Sequence, residues 1–132
     1  MEIAIISDIH GNLICYPSDY WKNLWECEAL FICGDIFPLH IQFDVPKCRG
    51  WLIKEFIPWA SELPVEKVYV IGGNHDAYFE RQEKEARTLL PEQGKITYIK
   101  NWNTFFSPIR YFKILMSHMI VRIICRHHVK LF

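Results

Sequence analysis

Three apolar runs, each stopped by polar residues, set the pattern of this chain. Glu2-Ile-Ala-Ile-Ile-Ser7 stops at Asp8, Ala29-Leu-Phe-Ile-Cys33 at Gly34-Asp35, and Lys67-Val-Tyr-Val-Ile71 at Gly72-Gly73-Asn74. Short apolar runs without alternation read as strands buried on both faces. Residues 11–18 contain Gly11, Asn12, Pro17 and Ser18 and read as a loop. Ser18 or Asp19 is placed to cap a short helix carrying Tyr20, Trp21, Leu24 and Trp25. Asp44-Val-Pro46 reads as a second helix start, with Trp51, Leu52, Phe56 and Trp59 facing inward. Pro58 is expected to bend or end that helix, because its ring collides with the carbonyl four residues back. Residues 77–90 predict one helix, supported by Glu80/Lys84 and Glu83/Arg87 and closed by Pro91 and Gly94. Ile96–Ile99 and Tyr111–Ser117 are weaker strand candidates, and the pattern leaves the type of the apolar run 119–125 open.

Strands alternating with helices predict an α/β layer structure with at least three parallel strands. At 132 residues and 51% hydrophobic, the chain suits one packed domain and not a disordered segment. No apolar stretch approaches the ~20 residues of a membrane span, and Glu2 and Asp8 stand where a secretory leader would be basic. The five cysteines include no C-x-x-C pair, so they read as buried thiols of a reducing, cytoplasmic setting and not as a zinc ribbon. The formal charge is zero, which gives no global reason to expect a nucleic-acid or membrane partner. That average hides a switch: residues 1–100 carry a net −5, whereas residues 101–132 carry five bases and no acid.

In an open parallel sheet the ligand site lies beyond the carboxyl ends of the strands. Here those ends carry Asp8 and His10, then Asp35, then Asn74, His75 and Asp76. In an extended segment Asp8 and His10, two residues apart, would point to the same side. A carboxylate beside an imidazole suits a divalent metal of intermediate hardness such as Mn, Fe, Zn or Ni. The two oxygens of Asp35 could bridge two ions, Asn74 offers a neutral carbonyl oxygen, and His75 is free to move a proton. Gly72 and Gly73 leave room for close backbone approach. Asp76 is expected to cap the following helix, with orientation of His75 as the alternative.

Ser7-Asp-Ile-His-Gly11, Cys33-Gly-Asp35 and Gly73-Asn-His-Asp76 together resemble the first three motifs of the calcineurin-like metallophosphoesterases, over roughly residues 1–100. The resemblance implies a four-layer α/β/β/α sandwich and a two-metal site that hydrolyses phosphoric esters. It implies that Asp8 and His10 bind one divalent ion, Asp35 bridges both, and Asn74 binds the second. His75 would give a proton to the leaving-group oxygen or stabilise the phosphoryl charge. Lys113-Ile-Leu-Met-Ser-His118 resembles the later strand that ends in Ser/Thr-His, which makes His118 a candidate ligand of the second metal.

The family's Gly-His-x-His is absent, and Arg126-His127-His128 is a poor substitute, since adjacent residues of a strand face opposite ways. With the charge switch, this points to a shortened phosphoesterase with a divergent basic tail over about 101–132, one face of its sheet left exposed. Two alternatives stand beside the metal-dependent esterase. One is an inactive fragment that binds metal or phosphate. The other is a nuclease-like nucleic-acid binder using Trp102, Phe105, Phe106, Tyr111 and Phe112 between Arg110 and Lys113, which is not favoured.

Overall fold

The apolar runs form strands β1 (Glu2–Ile6), β2 (Ala29–Cys33) and β3 (Lys67–Ile71). The computed structural model describes residues 2–13, 27–100 and 121–124. With β4 (Ile96–Ile99) and β5 (Val121–Ile124), five strands form one sheet in the order β4-β3-β2-β1-β5. The first four are parallel, Ile3 lying opposite Ala29 and Ala29 opposite Lys67. β5 runs antiparallel to β1, with Ile123 opposite Ile3, so residues 121–124 of the run whose type the pattern left open form a strand, outermost among the described residues. The helix expected after Ser18 and the strand expected over Tyr111–Ser117 lie outside the described residues.

The expected α/β class is what the chain adopts. Ala4, Ile6, Leu30, Ile32, Val68 and Val70 turn to one face of the sheet and join the helices in the main core. Ile3, Ile5, Ala29, Phe31 and Cys33 turn to the other and form a second buried cluster, flanked by the part-buried Tyr69 and Ile71. That second face is therefore not left exposed as expected: Phe31, at its centre, is 4% accessible. Strands that are apolar on both sides gain by burying both. Among the described residues there is one sheet; the second sheet of a four-layer sandwich is not among them.

Asp44 caps α1 (Val45–Trp51), its carboxylate accepting the Lys47 backbone N–H at 3.1 Å. The chain then widens into a π-helical turn, Leu52–Phe56, and continues as α2 (Ile57–Glu62). Pro58 does not end the helix, one of the two outcomes expected of it. It sits in the first turn of α2, and the preceding turn is loosened so that the Ile57 N–H reaches back to the Leu52 carbonyl, five residues away. The burial pattern supplies a second cause. Cys48, Leu52, Phe56 and Ala60 are all at 0% exposure and recur at every fourth position. In a pure α-helix that stripe drifts by about 40° per step, and a wider turn takes up the drift.

The helix expected over 77–90 is two, α3 (Ala77–Arg81) and α4 (Glu83–Leu89), separated at Gln82 with φ −126° and ψ 40°. The Glu83–Arg87 pair forms at 3.1 Å on the surface. Across the break, Glu85 accepts from the Tyr78 hydroxyl at 2.8 Å and from Arg49 of α1 at 2.7 Å, a tertiary tie that no local pattern shows.

Cys27, Cys33 and Cys48 are buried thiols, as expected, while Cys15 and Cys125 lie outside the described residues. Burial pushes the Cys33 thiol up to about 11. Since the thiolate is the reactive form, Cys33 should resist alkylation at pH 8 in the native protein and react on unfolding. Peptide mapping after pulse labelling with and without urea checks this.

Candidate metal centre

The ends of β1 and β2 lead into two loops that run side by side. The Asp8 N–H bonds the Gly34 carbonyl at 3.1 Å, His10 N–H the Asp35 carbonyl at 2.9 Å, and Gly11 N–H the Ile36 carbonyl at 2.8 Å. Ile9, Ile36 and Phe37 anchor the loops in the core, at 2%, 0% and 0% exposure. Between these anchors the polar residues are turned outward.

They are turned by a conformation that side chains ordinarily avoid. Asp8, His10 and Asp35 have φ of 56°, 44° and 56°. The left-handed region costs an L-residue roughly 1–2 kcal/mol. Asp8 and His10 therefore do not converge by strand alternation, as expected from an extended segment; β1 stops at Ile6 and left-handed turns aim them. Strain of this kind concentrates where a site needs a particular direction from a side chain.

The result is a cluster. One donor atom each from Asp8, His10 and Asp35 lies within 4.8 Å of the others, close enough to share one ion. Two carboxylates and an imidazole fit a divalent metal: the like charges of Asp8 and Asp35 favour a cation between them, and the buried Nδ1 of His10 has no protein partner. The Ser7 hydroxyl bonds Asp8 Oδ2 from outside the cluster.

The third loop, after β3, comes in over Gly73. A Cβ on Gly73 would lie 2.6 Å from the Asp35 nitrogen, and one on Gly34 would lie 2.9 Å from the Gly73 Cα. Gly73 thus packs against the Gly34–Asp35 backbone, where a side chain would not fit, while Gly72 faces the Phe79 ring. The His75 N–H donates to Asp35 Oδ1 at 3.1 Å. Its ring stands edge-on to that of His10, centroids 5.9 Å apart, with a buried Nδ1 that has no hydrogen-bond partner. Asn74 is exposed on the same loop, next to His75. His118 lies outside the described residues.

Asp76 does neither thing expected of it. It occupies the residue before α3, but its carboxylate makes no capping bond there. Instead Oδ1 accepts the N–H groups of Ile36 at 2.9 Å and Phe37 at 3.2 Å, and Oδ2 that of Gly73 at 2.8 Å. The side chain is 2% exposed, and burial pushes its pKa up to about 6 against the opposing pull of those backbone bonds. Asp76 is the site residue that sequence reasoning misplaced. Its only sequence signal is an acid directly after Asn-His, which suits a helix cap equally well.

A family model described as calcineurin-like phosphoesterase matches residues 1–131, beyond the hundred residues that carry the three motifs. No curated protein and no solved structure matches the chain.

Two substitutions separate strain from ligation. Asp8→Gly and Asp8→Ala should both weaken Mn²⁺ binding, measured by calorimetry. The glycine variant should be the more stable of the two by about 1 kcal/mol in urea, because only it relieves the positive φ. Asp76→Ala strips acceptors from three backbone N–H groups and should cost about 3 kcal/mol or more in the same urea measurement.

Proposed function

The chain belongs to the calcineurin-like phosphoesterase family, and from that premise we propose that it hydrolyses phosphoric esters with divalent metal held by Asp8, His10, Asp35 and Asn74. The observation that carries this reading is the cluster of Asp8, His10 and Asp35 donor atoms within 4.8 Å at the carboxyl ends of two parallel strands. Asp8 and His10 hold one ion, Asp35 is shared, and Asn74 serves a second, with His118 as a further donor. Mn, Fe, Zn or Ni suits the mixed oxygen and nitrogen set. When bound, such ions supply a nucleophile from water near neutral pH and offset charge on the phosphoryl oxygens.

The protein's own part is orientation and proton transfer. Asp35 holds the backbone of His75 through the 3.1 Å N–H bond, which places the histidine beside a ligand carboxylate. From there the His75 ring would give a proton to the departing oxygen, sparing the product a full negative charge.

With Mn²⁺ added, the protein should hydrolyse bis(4-nitrophenyl) phosphate. Asp35→Ala should abolish turnover, and His75→Ala should lower kcat by about a hundredfold or more while sparing Mn²⁺ affinity. Unchanged rates in both variants would sink the assignment. Background rates with metal bound would identify a metal-binding protein without turnover.

A further inference from the structure

The cleft at Asp8 and His10 does not end at the ligands. It opens into a groove of about 670 Å³ that is lined also by Asn12, the Pro38-Leu39-His40 turn, Trp51 and Glu55. That is the size of a small-molecule site and far more than a phosphoryl group fills. The wall of the groove is fixed to the metal-site loop. A Cβ on Gly11 would come 2.9 Å from Pro38 Cδ, so the two loops touch. The turn is also pinned on both sides, by the fully buried Phe37 and by Ile41, which is 8% exposed and whose N–H bonds the Pro38 carbonyl at 3.0 Å. Held this way, Leu39 stands 58% exposed at the rim, an apolar side chain that serves no core.

The charge of the lining is equally selective. Among the described residues that line the groove, the ionisable side chains apart from the ligands are His40 and Glu55, with no Lys or Arg. Sites for polyphosphates or nucleic-acid backbones supply cations to each phosphate. Here the described lining offers a carboxylate, a proline and an indole instead.

We infer that this groove, beside the ligands Asp8 and His10, is a subsite for an ester group of the substrate, and that it takes an uncharged, partly apolar group such as an aryl ester while rejecting polyanions. The inference rests on the phosphoesterase reading above. Leu39 and Pro38 cover the apolar body of that group, and Glu55 repels additional phosphates.

The test uses the full chain loaded with Mn²⁺, with kcat/KM measured for bis(4-nitrophenyl) phosphate and for ATP. Leu39→Asp should lower the aryl value about tenfold, through KM. Glu55→Lys should raise the ATP value several-fold, and both variants should keep wild-type Mn²⁺ affinity. Calorimetric binding of phenylphosphonate, which needs no turnover, should weaken about tenfold in Leu39→Asp. If the wild type hydrolyses the aryl ester but neither variant changes the ratio of the two substrates, the subsite is wrong and the esterase reading stands. If the wild type turns over neither substrate, both fall together.

Discussion

Two carboxylates, exchanged between loops forty residues apart, hold the candidate centre together. Asp76 reaches from the loop after β3 to the Ile36 and Phe37 N–H groups of the loop after β2. Asp35 reaches back from that loop to the N–H of His75. Each loop thus completes the hydrogen bonding of the other. A buried N–H left without a partner is costly, so the two loops keep one relative position. Metal ligands on separate strand ends require that kind of constraint, since nothing in the sheet itself fixes the distance between its loops.

Strain and close packing are the other side of the same arrangement. Three side-chain-bearing residues sit in the left-handed region, and two glycine backbones touch where any Cβ would collide. The ladder of N–H bonds between the first two loops and the burial of Ile9, Ile36 and Phe37 offset that cost. The apolar residues of these loops are there to hold their polar neighbours in an unfavourable but useful direction.

The strands were legible because apolar runs such as Ala29–Cys33 have few other ways to hide from water, and the site was legible because its residues end those runs. What escaped was tertiary or conformational. The aim of Asp8 and His10 depends on a sign of φ that no spacing encodes. Two of the partners of Asp76 lie some forty positions away, and the break at Gln82 coincides with a Tyr78–Glu85–Arg49 tie spanning three helices. The fate of Pro58 was partly visible after all, in the four-residue repeat Cys48, Leu52, Phe56, Ala60.

That repeat has an implication for how the chain tolerates change in length. A π turn is an α turn carrying one surplus residue, so losing a single residue from Leu52–Phe56 would restore ordinary winding. Everything downstream on α2 would then rotate by about 100° relative to Trp51. Ala60 would swing out of the interior while an exposed neighbour swung in. The widened turn therefore acts as a phase setting between two halves of one helix, and an insertion or deletion there would re-face all of α2.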